Sequence, residues 1–428
     1  MGGKNWAGRV PDNWNLVRFS KAYSFSRGLD IKKQDLSDHG LPVISYGQIH
    51  AKDNPGVRVS DRHIRYIPEE FVKEAQLGRA LLEKGDIVFA DTSEDIEGVG
   101  NMMRAAGGST LYAGYHALIA RPSAEFRHKY MAYQMISPCW RQQIQRSVQG
   151  VKVYSITQRI FNEVTILQPP HDEQRIIARF LDLKTAEIDA LIEKLQREVE
   201  LLERYRRELI VHTVTRGLDP DVAMRDSGVE WIGEAPSTWR PLRISALYDL
   251  RSQKVSDKEY PPLSITMNGV VPQLETVAKT NDGDNRKLVR SGDFVINSRS
   301  DRRGACGISP QDGSCSLINI VLTPKHSIDN RYFSYLFRST LFADEFYRWG
   351  HGIHDDVWTT NWNDMKSIQV PVPPLEDQET IANYLDDRMA QTDSTVSGIC
   401  KQIELLGKYR KQVISDAVTG KVRVGEVA

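Results

Sequence analysis

The sequence has no long apolar run, no cysteine pair and no excess of charge of either sign. Among its 428 residues, the longest apolar stretch is residues 317–322, which includes Asn319 and is far too short to span a membrane. The chain begins MGGKNWAGRVPDNW and shows no apolar segment of the kind found in secretory signal peptides. We therefore expect a protein that is neither secreted nor embedded in a membrane.

The cysteines are few and isolated. Cys139, Cys306, Cys315 and Cys400 form no C-x-x-C pair, and no pair of histidines lies at zinc-finger spacing. Isolated thiols are typical of proteins in the reducing cytoplasm, where we expect this protein to reside. We expect each cysteine to be a small buried apolar residue.

A repeat is the main feature that the sequence does have. Residues 169–215 and 373–419 align without a gap at an offset of 204, and 17 of the 47 positions are identical. Unrelated sequences of ordinary composition would share about three. A Gly-Asp motif occurs at residues 85–86 and again at residues 292–293. A tryptophan-flanked motif is found at Trp6, Gly8, Pro11 and Trp14, and again at Trp231, Gly233, Pro236 and Trp239.

Both copies of the longer repeat predict a long helix. Each follows two prolines and has acidic residues in its first turn, which favours a helix start. Apolar residues recur every seven positions, which predicts a coiled-coil seam, although Thr392 and Gly398 weaken the second copy. The seam residues are Leu181, Ile188, Leu195, Leu202 and Leu209 in the first copy and Leu385, Ile399, Leu406 and Val413 in the second. We expect the two helices to pair with each other in antiparallel orientation; a symmetric dimer is the alternative.

The repeats divide the chain into four segments. Residues 1–168 and 223–372 are each about the size of one domain, whereas residues 169–222 and 373–428 contain the helices with a connector and a C-terminal tail. Short β-like runs alternate with Gly-, Asp- and Ser-containing loops in both globular segments. The predicted fold is α+β, with two globular domains, two long helices forming an antiparallel coiled coil, and an internal pseudo-twofold repeat.

Each globular segment also contains one predicted helical stretch, over residues 127–145 in the first and residues 330–348 in the second. Aromatic residues and methionines recur within both stretches at helical spacing. We expect these side chains to pack into the core of their domain.

The formal net charge of zero conceals an uneven distribution. Residues 1–168 carry a net charge of +5 and residues 223–372 are neutral, while residues 169–222 and 373–428 carry −3 and −2. Charge that attracts phosphate is therefore expected on the first globular segment, and the helices are expected to face protein or solvent. A weak overall field also predicts weak affinity of the isolated chain for a polyanion such as DNA.

The loops after the two Gly-Asp strands, residues 91–95 and 297–304, are rich in polar side chains. Arg can bond bidentately to guanine, and Asn, Gln, Ser and Thr can bond to other base edges. The alternative for both loops is that they are solvated and make no contact with DNA. For Trp358, packing into the core is an equal alternative. The candidate DNA-contacting residues are Tyr46, Gln48, Thr92, Ser93, Lys152, Tyr154, Ser298, Arg299, Arg302, Arg303, His351 and Trp358.

The sequence lacks the common catalytic motifs, namely GxxxxGK[ST], GxSxG, HExxH and an Asn-Pro-Pro-aromatic tetrapeptide. His351, His354, Asp355 and Asp356 could bind a divalent metal. The first half of the chain has residues 149–152, QGVK, at this place. Because a duplicated active site should keep its ligands in both copies, we favour a polar loop over a metal site.

The combined motifs resemble the specificity subunit of type I restriction–modification systems over the whole chain. The residues that carry the resemblance are Pro169, Pro170, Glu173, Gln174, Tyr205, Arg206, Thr215 and residues 226–239. The sequence departs from the pattern at Asp377, where the second copy would have Glu, and in the degenerate first tryptophan-flanked motif.

The resemblance implies a cytoplasmic, non-catalytic subunit. Each globular domain would be a target-recognition domain that reads one half of a bipartite, asymmetric site in double-stranded DNA. The paired helices would set the spacing and dock two modification subunits, and two restriction subunits would complete the complex. S-adenosylmethionine, ATP and Mg²⁺ would be bound by those partners and no cofactor by this chain. The alternatives are a metal-dependent nuclease or hydrolase using His351, His354, Asp355 and Asp356, and a coiled-coil scaffold with no DNA role.

Overall fold

The computed structural model describes residues 6–148, 150, 152–274, 283–325, 328–352 and 358–424. The chain divides into two compact units. Unit 1 contains Met1–Lys194 and Lys401–Ala428, and unit 2 contains Leu195–Cys400. Each unit therefore combines one globular region with the first part of one long helix and the last part of the other, so that both helices contribute to both units.

Unit 1 is built around an antiparallel sheet with strand order β2-β9-β5-β7. Its strands are β1 (Asn15–Arg18), β2 (Tyr23–Arg27), β3 (Leu41–Ile44), β4 (Arg65–Ile67), β5 (Ile87–Ala90), β6 (Thr92–Ser93), β7 (Met102–Arg104), β8 (Tyr112–Ala113), β9 (Ala117–Pro122), β10 (Tyr154–Ser155) and β11 (Thr165–Gln168). Every residue of β5 is buried, as its unbroken apolar sequence predicts. A second sheet has the order β4-β3-β8, and β1 pairs with β11.

The helices of unit 1 cover the sheets and lead into the coiled coil. They are α1 (Phe19–Ala22), α2 (Tyr46–Ile49), α3 (Glu74–Ala80), α4 (Lys129–Ile136), α5 (Pro138–Gln145), α6 (Gln158–Glu163) and the first half of α7 (His171–Arg216). Short 3-10 turns lie at Lys33–Asp35, Asp61–His63, Glu69–Phe71 and Ala124–Phe126. One large cluster of buried side chains joins the main sheet, α4 and α5 to α7.

Unit 2 repeats this plan with a sheet of order β15-β23-β20-β21. Its strands are β12 (Met224–Asp226), β13 (Glu234–Pro236), β14 (Arg240–Arg243), β15 (Tyr248–Leu250), β16 (Lys254–Val255), β17 (Leu263–Thr266), β18 (Gly269–Pro272), β19 (Arg286–Val289), β20 (Phe294–Asn297), β21 (Cys306–Ile308), β22 (Gly313–Cys315), β23 (Asn319–Pro324) and β24 (Gln369–Val372). Its helices are α8 (Ile244–Leu247), α9 (Asn330–Arg338), α10 (Thr340–Arg348), α11 (Trp362–Met365), the second half of α7 and the first half of α12 (Leu375–Val418), with a 3-10 turn at Ser300–Arg302. The matching sheet orders confirm the α+β fold and its internal repeat.

The predicted helical stretches over residues 127–145 and 330–348 are helical in the structure, but each is divided into two consecutive helices. The chain is extended at Ser137 and Ser339, where ψ is 138° and 150°. Each serine oxygen accepts a hydrogen bond from the first turn of the following helix and so caps it. The apolar pattern continues through both serines, which is why it did not reveal the break.

The long helices α7 and α12 contain 46 and 44 residues. In unit 1, Asp189 contacts Arg410, and Ile177 shares a core with Val418. Residue numbers therefore rise along one helix as they fall along the other, which confirms the antiparallel arrangement. Within the described residues, no helix combines the length and the apolar composition needed to cross a lipid bilayer.

The seam residues face inward along both helices. Leu181, Ile188, Leu195, Leu385 and Ile399 are buried, and Leu202, Leu209, Leu406 and Val413 are partly buried. The second copy keeps Thr392 buried at a seam position, where its hydroxyl donates to the Arg388 carbonyl oxygen at 2.8 Å. This intrahelical hydrogen bond satisfies the polar group that weakened the sequence pattern.

The cysteines differ in exposure. Cys306 and Cys315 are buried and Cys139 is partly buried, but Cys400 is exposed, so the expectation of burial was wrong there. Cys400 follows the buried seam residue Ile399 and therefore points away from the seam. Burial raises the pKa of Cys306 to about 12 and that of Cys315 to about 11.

Candidate nucleic-acid interface

The repeated Gly-Asp motifs form buried turns that precede β5 and β20. Asp86 is fully buried and accepts hydrogen bonds from Arg121 Nη2 at 2.9 Å and from the Glu83 backbone N–H at 2.8 Å. Asp293 accepts equivalently from Arg251 Nε at 2.6 Å. The glycine before each aspartate has φ of 96° or 88°, in the left-handed region that favours glycine. The motif therefore fixes the start of the strand whose far end carries the candidate loop.

In unit 1 the structure brings three of the sequence-predicted residues together. β6 and β10 pair antiparallel, so that Tyr154 lies opposite Ser93 and Thr92 lies opposite Ser155. His50 Nε2 donates to the Thr92 carbonyl oxygen at 3.0 Å. The ring of Tyr46 lies 4.4 Å from the His50 ring, measured between centroids. Tyr46, Thr92 and Tyr154, all partly exposed, thus share one surface.

Other predicted residues of unit 1 have different surroundings. Ser93 is buried, and its hydroxyl donates to the Asp95 carbonyl oxygen at 2.7 Å, so it supports the loop from within. Gln48 Oε1 accepts from the Ser45 backbone N–H at 3.1 Å and caps α2. Lys152 is exposed and available to solvent.

A cleft of about 700 Å³ lies beside this surface within unit 1. Its lining includes Tyr46, His50 and Lys52 from the globular region and Arg410 and Lys411 from α12. Burial, followed by the carboxylates of Glu94 and Asp95, raises the pKa of Tyr46. The tyrosine hydroxyl therefore remains protonated and can both donate and accept a hydrogen bond.

In unit 2 the loop of residues 297–304 is joined by backbone contacts to residues 358–359, which come later in the chain. Arg299 and His351 each form a bridge with Thr359, and the Ser300 N–H donates to the Trp358 carbonyl oxygen at 2.9 Å. The candidate residues Arg299, His351 and Trp358, which are distant in sequence, therefore share one surface, as Thr92 and Tyr154 do in unit 1. Trp358 is partly exposed rather than buried in the core.

The arginine side chains of this loop differ in their exposure and in their ion pairs. The Arg302 side chain is 68 % exposed and its Nε lies 3.9 Å from Asp301. Arg303 forms an ion pair with Asp344 at 3.0 Å, and the Arg299 guanidinium lies 3.0 Å from Asp301. Arg302 is therefore the arginine least committed to an internal partner in this loop.

Two further predicted residues of unit 2 are engaged by neighbours. Ser298 is buried and its hydroxyl donates to the Ile318 carbonyl oxygen at 2.6 Å, so it has the supporting role that Ser93 has in unit 1. His351 is 75 % exposed, and its Nε2 lies 3.4 Å from Asp364 Oδ1. A groove of about 520 Å³ lies on this side of unit 2, lined in part by Arg302 and Arg303.

The alternative metal site rests on residues that are largely outside the described part of the chain. His354, Asp355 and Asp356 lie outside the described residues. Among the residues that are described, no group of three or more His, Cys, Asp or Glu side chains could hold a metal ion.

Sequence reasoning missed a tyrosine contact that joins each globular region to the end of a long helix. Tyr130 donates from its hydroxyl to the Val418 carbonyl oxygen at 3.0 Å in unit 1. Tyr332 donates to the Val214 carbonyl oxygen at 2.8 Å in unit 2. Both tyrosines are fully buried, and the two valines are equivalent positions of the repeat. Because the acceptor is a backbone oxygen, the identity of the valines does not reveal this contact; the available signal was the Tyr-x-x-Tyr spacing shared by residues 130–133 and 332–335.

A second repeated contact joins each globular region to the first half of its following helix. Asp182 accepts from Tyr133 at 2.5 Å and from Lys129 at 2.5 Å. Asp386, its counterpart, accepts from the Tyr335 hydroxyl at 2.7 Å and from the Arg331 guanidinium at 3.0 Å. We call these aspartate-centred contacts the domain clamps. They hold the candidate interface of each unit in a defined orientation on its helices.

The family model for the type I restriction–modification DNA specificity domain matches residues 25–201 and 236–405. The putative type I restriction enzyme MjaX specificity subunit of Methanocaldococcus jannaschii is 23 % identical over 98 % of this chain and 96 % of its own length. The StySPI specificity subunit of Salmonella potsdam is 21 % identical over 97 % of this chain and 90 % of its own.

Solved structures share the fold. A chain from a structure of complex assembly and conformational transition of the type I R-M system has a TM-score of 0.67 at 17 % identity, covering 97 % of this chain and 100 % of that one. The HsdS subunit from Thermoanaerobacter tengcongensis has a TM-score of 0.50 at 18 % identity, covering 97 % and 98 %. Since the family model covers most of both globular regions and both helices, the chain belongs to the type I restriction–modification DNA specificity family and is a non-catalytic specificity subunit.

Proposed function

We propose that each unit reads one half of a bipartite, asymmetric site in double-stranded DNA. The observation that carries the proposal is an equivalent surface in both units. The loop after the Gly-Asp strand is joined by backbone contacts to residues 154–155 in unit 1 and to residue 359 in unit 2. The backbone plan is repeated but the side chains are not. Two different sets of side chains on the same frame favour two different half-sites.

The side chains of the two surfaces suit different parts of the duplex. In unit 1, the Tyr46 hydroxyl and Thr92 can bond to base edges, and Lys152 is placed to contact phosphate. In unit 2, the exposed Arg302 has the guanidinium geometry that bonds bidentately to guanine. The neighbouring Trp358 offers an apolar face to the same surface.

The long helices supply the second part of the proposal. They set the spacing between the half-sites and dock two modification subunits, which bind S-adenosylmethionine and methylate the DNA. Two restriction subunits, which use ATP and Mg²⁺, join the same complex. The acidic charge of the helical segments, −3 and −2, supports a protein-facing role because it repels DNA.

A domain exchange tests whether each unit reads its own half of the DNA site. Residues 223–372 are replaced by the corresponding segment of another specificity subunit, and the methylated sequence is determined in cells that carry the modification subunit. We expect one half of the methylated sequence to change while the other half and the spacer are retained. A change in both halves, or methylation without sequence preference, would contradict the proposal.

A point substitution tests the surface itself. Arg302→Ala removes the exposed guanidinium, and we expect methylation of the native site to fall about 5- to 150-fold, corresponding to about 1–3 kcal/mol for one bidentate base contact. Arg243→Ala is the matched control, because Arg243 is an exposed arginine of unit 2 on β14 and belongs neither to the candidate surface nor to the long helices. Equal losses in the two variants would show that the effect comes from charge alone.

A further inference from the structure

One turn of unit 1 has a strained backbone beside the candidate interface. His116 lies directly before β9 and has φ of 51°, in the left-handed region. Among the residues that the structure describes, it is the single non-glycine residue with positive φ. A residue with a Cβ atom adopts this conformation at an energetic cost, because the Cβ atom comes too close to the backbone.

Unit 2 shows that the fold does not require this strain. In both main sheets, the last residue of the Gly-Asp strand lies opposite the first residue of the strand that pairs with it, β9 in unit 1 and β23 in unit 2. Ile318, directly before β23, is therefore the counterpart of His116, and its φ is not positive. By the same register, Ser298 is the counterpart of Asp91. The strained turn thus belongs to unit 1 and not to the repeated framework.

The side chain of His116 is held by Asp91. Nδ1 of His116 lies 2.9 Å from Asp91 Oδ1, and the two side chains are 57 % and 40 % exposed. A polar contact as exposed as this one adds little to stability. Unit 2 has Ser298 and Ile318 at the two places and cannot form the contact. A strained residue with an exposed contact, neither of which the fold needs, indicates a functional role.

The turn adjoins the candidate interface of unit 1. The His116 ring lies 6.1 Å from the Tyr46 ring, measured between centroids. Asp91 directly precedes Thr92 of β6, and its carbonyl oxygen accepts from the Ile156 N–H at 2.7 Å, just after β10. His116 is therefore part of the surface that contains Tyr46 and Thr92.

The contact with Asp91 determines what the ring can recognise. A carboxylate only accepts hydrogen bonds, so the neutral ring carries its proton on Nδ1, and Nε2 is left as an acceptor. The carboxylates of Asp91 and of Glu94, which is near Tyr46, disfavour a phosphate group at this place. In the major groove, the exocyclic amino groups of adenine and cytosine are the groups that donate hydrogen bonds.

We infer that His116 is a specificity-determining residue of unit 1, whose Nε2 accepts a hydrogen bond from the exocyclic amino group of an adenine or a cytosine. Asp91 is a positioning residue that acts through the ring. This inference rests on the proposed reading of one half-site by unit 1. It adds the residue and the chemical group that are recognised.

The test removes the imidazole and the amino group separately and together. The full chain is bound to the modification subunit, and the affinity of this complex for duplexes of the native site is measured by fluorescence anisotropy. In the half-site that the domain exchange retains, purine replaces adenine or 2-pyrimidinone replaces cytosine at one position at a time, which removes only the amino group.

At one position, the wild type should lose about 5- to 150-fold in affinity when the amino group is removed. His116→Gly should bind the native duplex more weakly by the same factor and lose nothing more at that position. Asp91→Ala should also reduce this discrimination, because the ring is then free to turn. The base at the sensitive position distinguishes adenine from cytosine.

Stability separates base reading from folding. Glycine adopts positive φ without steric cost, so His116→Gly should melt within about 2 °C of the wild type although the contact with Asp91 is lost. His116→Asn tolerates the same φ and has a shorter side chain, so it should show the same loss of discrimination. His39→Ala is the matched control, because His39 is an exposed histidine before β3, whereas Tyr46 follows that strand. It should keep the native affinity and its dependence on the amino group.

Three results would overturn the inference. The first is an amino-group dependence in His116→Gly that equals the wild type at every position. The second is a uniform loss of affinity on all duplexes with a shallower salt dependence, which would show a phosphate contact. The third is a melting temperature more than about 6 °C below the wild type in both His116 variants, which would show a structural role. Failure of the proposed function is separate, since the wild-type complex would then show no sequence preference in this half-site.

Discussion

The buried aspartate of the Gly-Asp motif provides a test of how the candidate interface is supported. In Asp86→Asn, the side chain keeps its shape and one oxygen that can accept from the Glu83 N–H. If that oxygen is Oδ2, the new NH₂ group replaces Oδ1, which in the native protein accepts from Arg121 Nε at 3.2 Å. A donor then opposes a donor, and a buried ion pair is lost. We expect the unfolding free energy of the protein to fall.

The magnitude follows from the surroundings of the pair. Breaking a buried ion pair costs about 3–5 kcal/mol. The Arg121 side chain is 29 % exposed and has a second partner, Glu83, at 3.1 Å, so it can be partly resolvated after the change. We therefore expect the lower end, about 3 kcal/mol. For a unit of this size each kcal/mol lowers the melting temperature by about 2–4 °C, which gives a fall of about 6–12 °C.

Calorimetry and circular dichroism measure this change in melting temperature. Asp293→Asn should have a similar effect, because Asp293 has the equivalent buried position and arginine partner. Glu208→Gln is the control, since Glu208 and Arg204 form an exposed pair 3.7 Å apart on α7. The control should change stability by less than about 0.5 kcal/mol. If Asp86→Asn melted within 1 °C of the wild type, the motif would have no structural role of the kind described.

Three further predictions concern the helices, the thiols and pH. Asp189→Arg places two cations together and should lower stability by about 1 kcal/mol, and adding Arg410→Asp should restore most of it in a urea titration. In the native protein Cys400 should react with a thiol reagent at once, whereas Cys306, whose pKa burial raises to about 12, should react only after unfolding. Burial, and then His171, lowers the pKa of His128 below its ordinary value, so the unfolded chain binds a proton more readily. Stability should therefore fall as pH drops through about 6.5, and His128→Asn should flatten this dependence of melting temperature on pH.

The long helices were predictable because their signal is local and repeated. Helix α7 begins at His171, directly after the two prolines, and its seam follows the heptad pattern. Once two such helices are separated by a globular region in one chain, antiparallel pairing follows from connectivity. Asp189 and Arg410 form one interhelical ion pair, and their repeat counterparts, Asp393 and Arg206, form the other.

The candidate site was less predictable because exposure depends on distant residues. Ser93 and Ser298 lie in loops that are polar in sequence, but both are buried beneath neighbouring loops. A Gly-Asp pair does not reveal that its carboxylate binds Arg121, which lies 35 residues away in the chain. The domain clamps likewise join side chains about 50 residues apart. Sequence periodicity describes one element at a time, whereas these contacts arise from the packing of several.

The composition of the two units has a consequence for how the protein is made. Unit 2 is one continuous stretch, Leu195–Cys400, whereas unit 1 also requires Lys401–Ala428. On the ribosome the N-terminal globular region emerges first, yet the carbonyl group of Val418 that Tyr130 contacts is synthesised nearly 300 residues later. The region made first is therefore the last to be completed. Until then the apolar surface that packs against α12 stays open in the nascent chain.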